Sequence, residues 1–348
     1  GGKPESDSKT EFGIGVAMDV SGLTMIVGAR YQDGGNSGTN DGAATVYRYD
    51  QSAEVWYQLG NTLTESNAGT YGFNVDINDA GNRVLVIDDA SDKTHIYDYN
   101  SGTNNWDNIG TISRTITFTT ARLSGDGNTF VISNYSANQQ FMYRYASGST
   151  WNLIGTITGA NAAGMGSAIS YDGNIVTMSE RSHTTTSTNA GRATVYKYAG
   201  SGSNWTQVGS WINNPFPTTN GYFGSSSDLS KDGSIVAFGA SAPSGIVAVY
   251  QSVAGGDWVQ LGSTIFGPEN TYSPDSFGHG VRLSDDGVTL LLNEFVNDDV
   301  GADNGAVYIY KYINGDWVRQ GDIIYGAYTG AKLGYVYAGG TKMDLHRM

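Results

Sequence analysis

The densest group of side chains able to do chemistry lies in EFVNDDVGADNGA at 294–306. Asp298, Asp299 and Asp303 stand there beside Asn297 and Asn304, and oxygen donors at that density could hold a calcium ion and stiffen the loop. The plainer reading is a solvated acidic loop. Asp33 and Asp41 are weaker candidates in the matching loop of the first unit described below. No motif requires a cofactor, and calcium is the one ion this chemistry suggests. Asn134 (NYS, 134–136) and Asn204 (NWT, 204–206) head glycosylation sequons and could carry a glycan if the protein passes through a eukaryotic secretory route.

Catalytic signatures are missing from the linear sequence. The four histidines, His95, His183, His279 and His346, are scattered and none has metal-ligand spacing, so each reads as structural or solvated. There is no G-x-S-x-G nucleophile elbow. Glutamates stand at 5, 11, 54, 65, 180, 269 and 294, and nothing selects a pair of them for glycoside hydrolysis. The expectation is a protein without catalytic activity.

Composition narrows the class. With 49 Gly among 348 residues, 6 Pro and no sustained 3.6-residue periodicity, the chain reads as turn-rich and all-β. Its 33 acidic against 19 basic residues, a net charge of −14, would repel nucleic acid and anionic membrane surfaces. No apolar run approaches the roughly 20 residues of a membrane-spanning helix, so membrane insertion is not expected. Cysteine is absent, which removes disulfides, thiolate catalysis and Cys-based zinc sites together.

The elements that must position these residues repeat. FGIGVAMDVSG (12–22), YGFNVDINDAG (71–81), FTTARLSGDG (118–127), MGSAISYDG (165–173), FGSSSDLSKDG (223–233) and FGHGVRLSDDG (277–287) share an opening, an alternating strand and a tight turn. A seventh, worn opening is LGYVYAGG at 333–340. A second strand follows each of the six full turns, then an aromatic third strand, then a fourth of the form Trp-x-x-x-Gly. Six of the seven tryptophans, Trp56, Trp106, Trp151, Trp205, Trp258 and Trp317, occupy that one structural slot. A four-stranded sheet this small, apolar on both faces, must cover both, and stacking the units face on face around an axis does so.

The FG opening, the strand-two endings IVGA (26–29) and FGA (238–240), and GAVYIY (305–310) resemble FG-GAP-type repeats of integrin-like and other extracellular propellers. The likeness is closest to a divergent W-x-Q-L-G variety and spans Phe12 to about Met343. The calcium-binding D-x-D-x-D-G loop of that family does not occur here.

The expected fold is therefore an all-β propeller of four-stranded antiparallel blades, one domain over 1–348. The approximate repeats are 12–64, 71–113, 118–158, 165–212, 223–266, 277–325 and a partial 333–348. Seven openings favour seven blades, the last incomplete within the chain, with six as the alternative. The expected function is a non-enzymatic, extracellular or cell-surface building block of a structural or adhesive assembly. Protein partners or self-association would act through the incomplete blade. The alternative is a carbohydrate- or protein-binding, lectin-like module.

Overall fold

The computed structural model describes residues 11–32, 41–65, 69–114, 119–160, 166–240, 245–267, 277–331 and 333. They form six antiparallel sheets in a propeller ring, each with its strands in chain order. Blade 1 comprises Phe12–Met18, Thr24–Ala29, Ala43–Asp50 and Val55–Gln58, and blade 2 Tyr71–Ile77, Arg83–Asp88, Lys93–Asn100 and Asn105–Ser113. Blade 3 comprises Thr119–Leu123, Thr129–Asn134, Gln139–Ser147 and Thr150–Thr158. In blade 4 the first strand is reduced to a bridge between Ile169 and Val176, followed by Ile175–Glu180, Arg192–Tyr198 and Trp205–Asn213. Blade 5 runs Ser226–Leu229, Ile235–Ala240, Ile246–Ser252 and Trp258–Gln260, and blade 6 Phe277–Leu283, Thr289–Glu294, Ala306–Ile313 and Asp316–Arg319.

The blade count is six, the alternative, and not the favoured seven. Of the seventh opening only Leu333 lies among the described residues. The rest of 333–348, including His346, lies outside them.

Each Ser-x-Asp-Gly turn between first and second strands is a local knot of hydrogen bonds. In blade 5, Asp232 accepts from Ser230 Oγ (2.8 Å) and from the Ser234 N–H (2.9 Å), while Gly233 takes φ +70°, a conformation that side chains resist. These turns also bond to one another about the axis. The Val20, Asp79, Asp126, Tyr171 and Lys231 N–H groups donate to carbonyls of Asp79, Gly125, Tyr171, Lys231 and Asp285. First strands are therefore innermost, and the Trp strands form the rim.

The Trp-x-x-x-Gly pattern is both halves of one contact between successive blades. Trp106 Nε1 donates to the Leu59 carbonyl (2.8 Å), Trp151 to Ile109 (3.2 Å), Trp205 to Ile154 (3.0 Å), Trp258 to Val208 (3.0 Å) and Trp317 to Leu261 (2.8 Å). The residue after each acceptor is the motif's glycine. A Cβ on Gly60 would lie 2.7 Å from Trp106 Cδ1, and one on Gly110 2.5 Å from Trp151 Cδ1. Only a bare Cα admits the neighbouring indole. Around this contact Val75, Ile77, Val84 and Val86 of blade 2 are buried against Ala17, Ile26, Val46 and Leu63 of blade 1, and the other cores repeat the arrangement.

Gly110→Ala is accordingly expected to cost about 1–3 kcal/mol, the range for overpacking a filled site. A urea denaturation midpoint that falls with unchanged slope checks it.

Candidate functional site

The two ends of the central channel are built differently. At the turn end, Lys231 of blade 5 reaches Asp285 of blade 6 (3.2 Å) and, across the axis, Asp79 of blade 2 (3.7 Å). Its ammonium lies 4.4 Å from the centre of the Tyr171 ring of blade 4. Above this plug is a cavity of about 50 Å³, lined by Leu123, Ile169, Asp228, Leu229 and Leu283 among others. That is room for a few waters and far below the roughly 300–1,000 Å³ of a small-molecule pocket.

Just above it, the first strands place Ala17, Asp76, Arg122, Ala168, Asp228 and Arg282 at one level, the order Ala-Asp-Arg occurring twice. Asp76 accepts from the Leu123 N–H (2.7 Å) and Asp228 from the Leu283 N–H (2.8 Å), the same bond half a turn apart. Burial pushes the Asp228 carboxyl up, against the opposing pull of Arg282, the Leu283 and Leu229 N–H groups, and Arg122. This charge ring and the plug close the channel from below.

At the opposite end, where second strands leave the sheets, four blades converge on Arg181. This residue follows the second strand of blade 4. Its Nη2 donates to Tyr135 Oη of blade 3 (3.2 Å), and its guanidinium lies 5.1 Å and 5.2 Å from the ring centres of Tyr135 and of Tyr222 at the entry to blade 5. Tyr222 is held at φ 44°, a left-handed conformation that costs an aromatic residue roughly 1–2 kcal/mol. His279, on the first strand of blade 6, packs edge-on to Phe295 (5.0 Å). Burial, helped by the field of Arg181, drives its imidazole down to about 4. His279 is therefore neutral at pH 7, and among the described residues its buried Nδ1 and the buried Nε of Arg181 have no hydrogen-bond partner. Unmet polar atoms of this kind, ringed by aromatic side chains at a channel mouth, suit a polar ligand. Arg30 takes in blade 1 the place of Arg181 and lies over Tyr31 (4.5 Å) and Phe73 (5.3 Å), with a 2.7 Å ion pair to Glu11.

The residues singled out in the sequence lie elsewhere. Asp298 accepts from the Asp303 N–H (2.7 Å), and Asp299 accepts from Asn297 Nδ2 (3.2 Å) and Tyr325 Oη (3.3 Å). Their carboxylates brace the loop, and among the described residues no group of three or more His, Asp or Glu is placed to hold a metal ion. Asp41 is buried and its carbonyl receives the Tyr71 N–H, while Asp33 lies outside the described residues. Asn134 is 5% exposed with its Oδ1 held by Ser136 and the Ala137 N–H, whereas Asn204 is exposed ahead of its strand. His95 is buried between Tyr71 and Tyr97, and His183 pairs with Glu180 (3.5 Å), which Arg192 also holds (2.8 Å). His279, read from the sequence as structural or solvated, is the histidine that enters the candidate site. Its one sequence signal is position: the matching first-strand residues are Ile14, Phe73 and Ser225.

No protein-family profile and no curated protein matches the chain. Solved structures do. A Bacteroides uniformis protein described as a candidate 6-phosphogluconolactonase matches with TM-score 0.61 and 12% identity over 90% of this chain and 85% of its own. The periplasmic gluconolactonase of Pseudomonas aeruginosa matches at 0.56 and 16% over 90% and 87%, and hydrazine synthase of Kuenenia stuttgartiensis at 0.54 and 12% over 90% and 80%. At these identities the likeness establishes the propeller fold. Several of these neighbours are named as lactonases and none as an FG-GAP integrin repeat.

This corrects two expectations. The non-enzymatic reading, whether as adhesive building block or as lectin-like module, gives way, because several of the similar structures bear the names of lactonases. The physical reason for the error is that a propeller assembles its mouth from separate blades. Tyr135, Arg181, Tyr222 and His279 leave no motif along the chain.

Because His279 takes up a proton in the unfolded chain near 6.5 and in the folded one only near 4, protonation favours unfolding. Its contribution is intact above pH 6.5 and is lost as pH falls toward 4, by about 3 kcal/mol in all. Urea denaturation at pH 7 and pH 4.5 is expected to show this loss in the unaltered protein and a smaller one in His279→Asn.

Proposed function

We propose that this protein is a hydrolase that opens sugar-derived lactones at the Arg181–His279 mouth. The observation that carries the reading is the neutral, buried His279 Nδ1 without a hydrogen-bond partner, in the field of a guanidinium whose own Nε is also unmet. The names of the similar lactonases support it by analogy of fold.

The chemistry uses what the mouth offers. A lactone bound there would present its carbonyl oxygen to the Arg181 guanidinium and its ring face to the Tyr135 and Tyr222 rings. Water held by Nδ1 of His279 attacks the carbonyl carbon and gives its proton to that nitrogen as the new C–O bond forms. Burial, and after it the field of Arg181, disfavours an imidazolium there, which is why His279 is normally neutral. Once negative charge develops on the carbonyl oxygen, the guanidinium is compensated and the proton transfer becomes easier. Collapse breaks the ring C–O bond, the ring oxygen takes the proton back from His279, and a hydroxy acid leaves. The Arg181 guanidinium would also favour acidic sugars over neutral ones. An extracellular or periplasmic setting is compatible with this reading, since one similar protein is periplasmic.

A pH-stat assay on δ-lactones of neutral and phosphorylated sugars tests it. Hydrolysis above the spontaneous rate is expected, with kcat lowered about 10²–10⁴-fold in His279→Asn and KM raised most for the phosphorylated substrate in Arg181→Gln. No acceleration for any lactone would overturn the reading.

A further inference from the structure

The chain holds three Asn–Gly pairs, Asn220–Gly221, Asn304–Gly305 and Asn314–Gly315. In such a pair the backbone nitrogen of the glycine can attack the side-chain carbonyl carbon of the asparagine, because no Cβ on the second residue hinders the approach. The attack needs both the glycine N–H and the asparagine amide to be unoccupied. The fold treats the three pairs differently.

Asn304 is only 4% exposed, its Nδ2 donates to the Gly326 carbonyl (3.0 Å), and the Gly305 N–H donates to the Asn297 carbonyl (3.2 Å). Asn220 is exposed, yet its Oδ1 accepts from Asn189 Nδ2 (2.9 Å) and Tyr222 Oη (3.3 Å), and the Gly221 N–H donates to the Thr218 carbonyl (3.0 Å). Asn314 and Gly315 form the two-residue turn between the third and fourth strands of blade 6, where Ile313 pairs with Asp316. Both are exposed, with φ of 53° and 92°, the left-handed pair that such a turn requires. Among the described residues neither the Asn314 amide nor the Gly315 N–H has a hydrogen-bond partner. The Asp–Gly pairs sharpen the contrast. Gly42, Gly127, Gly173, Gly233 and Gly287 each follow an aspartate, and each N–H donates to a backbone carbonyl at 2.8–3.0 Å. Among the described residues Gly315 alone follows an Asn or Asp with its N–H left over.

We propose that Asn314 is a site of spontaneous covalent modification, where the protein loses ammonia and acquires an aspartate or an isoaspartate. The Gly315 nitrogen gives its proton to solvent base and bonds to Asn314 Cγ. The Cγ–Nδ2 bond breaks, and ammonia leaves with a proton from water. Water then opens the five-membered imide at one of its two carbonyls. One opening gives an ordinary aspartyl residue, the other an isoaspartyl residue with one more atom in the backbone. Ring closure asks only for movement of two torsions at an exposed tip. At Asn220 and Asn304 hydrogen bonds must break first, which slows it there by about tenfold or more.

The product also alters packing. Asp316, two residues on, accepts from the Ser263 N–H (2.8 Å) and the Trp317 N–H (2.8 Å), and so ties the rim of blade 5 to blade 6 beside the Trp317 indole. An added backbone atom in a two-residue turn displaces that carboxylate, and a second carboxylate close by repels it.

The test compares native protein with the same chain unfolded in urea, both held in mildly alkaline buffer. Peptide mass spectrometry follows each Asn–Gly pair, and an isoaspartyl methyltransferase with S-adenosylmethionine counts the isoaspartate. Dividing each native rate by the rate of the same pair in urea removes the influence of sequence. That ratio should be at least about tenfold larger for Asn314 than for Asn220 or Asn304. Methyl acceptance by aged native protein should be lost in Asn314→Gln. Aged protein should melt lower than fresh protein, whereas Asn314→Gln should hold its melting temperature. A ratio for Asn314 no larger than for the other two pairs would overturn the proposal. Conversion at 314 with unchanged melting would overturn its link to the Asp316 contact.

Discussion

Everything in this molecule hangs on a tryptophan that leaves its own sheet to find a carbonyl in the sheet before it. The indole N–H is satisfied only there, and the ring lies flat only where the facing residue is glycine. A Trp buries roughly 150–250 Å², on the order of 4 kcal/mol or more at the usual hydrophobic coefficient. Five such contacts, with their Val, Ile and Leu surrounds, hold a disulfide-free ring together. They also fix the angular position of each blade, so the innermost strands arrive at the axis in register. The interaction at the rim therefore determines what meets at the centre.

Two regimes result along the axis. At the turn end, hydrogen-bonded turns, the Lys231 bridge and the twice-repeated Ala-Asp-Arg level leave space for little more than water. Lys231 faces two carboxylates there, and the raised Asp228 carboxyl is the residue of desolvation that its arginines do not fully offset. At the other end no such zipper forms, because second strands diverge into loops of different length. Among the described residues Arg181 and His279 are left there with buried nitrogens unmet. The fold concentrates order at one mouth and leaves recognition to the other, the usual division between scaffold and loops.

The same division explains why the acidic loop at 294–306 misleads as a site. Its carboxylates are close in sequence, and closeness in sequence is what a reader of sequence can see. In the fold they are occupied by backbone N–H groups, Asn297 and Tyr325, so their density serves loop geometry. His279 and Arg181, nearly 100 residues apart, are coupled through space.

The repeat of turn, aromatic strand and Trp-x-x-x-Gly determined the all-β class, the four-stranded unit and the stacking of units about an axis, since periodic apolar faces and glycine turns are local chemistry. The count of blades and the function were not local. Six described sheets stand where seven openings had suggested seven blades, because an opening motif alone does not make a four-stranded unit. The candidate site could be decided only by the tertiary structure. It is made of one residue from each of four repeats, at positions where the repeats differ from one another. No spacing rule along the chain encodes that a histidine of blade 6 faces an arginine of blade 4.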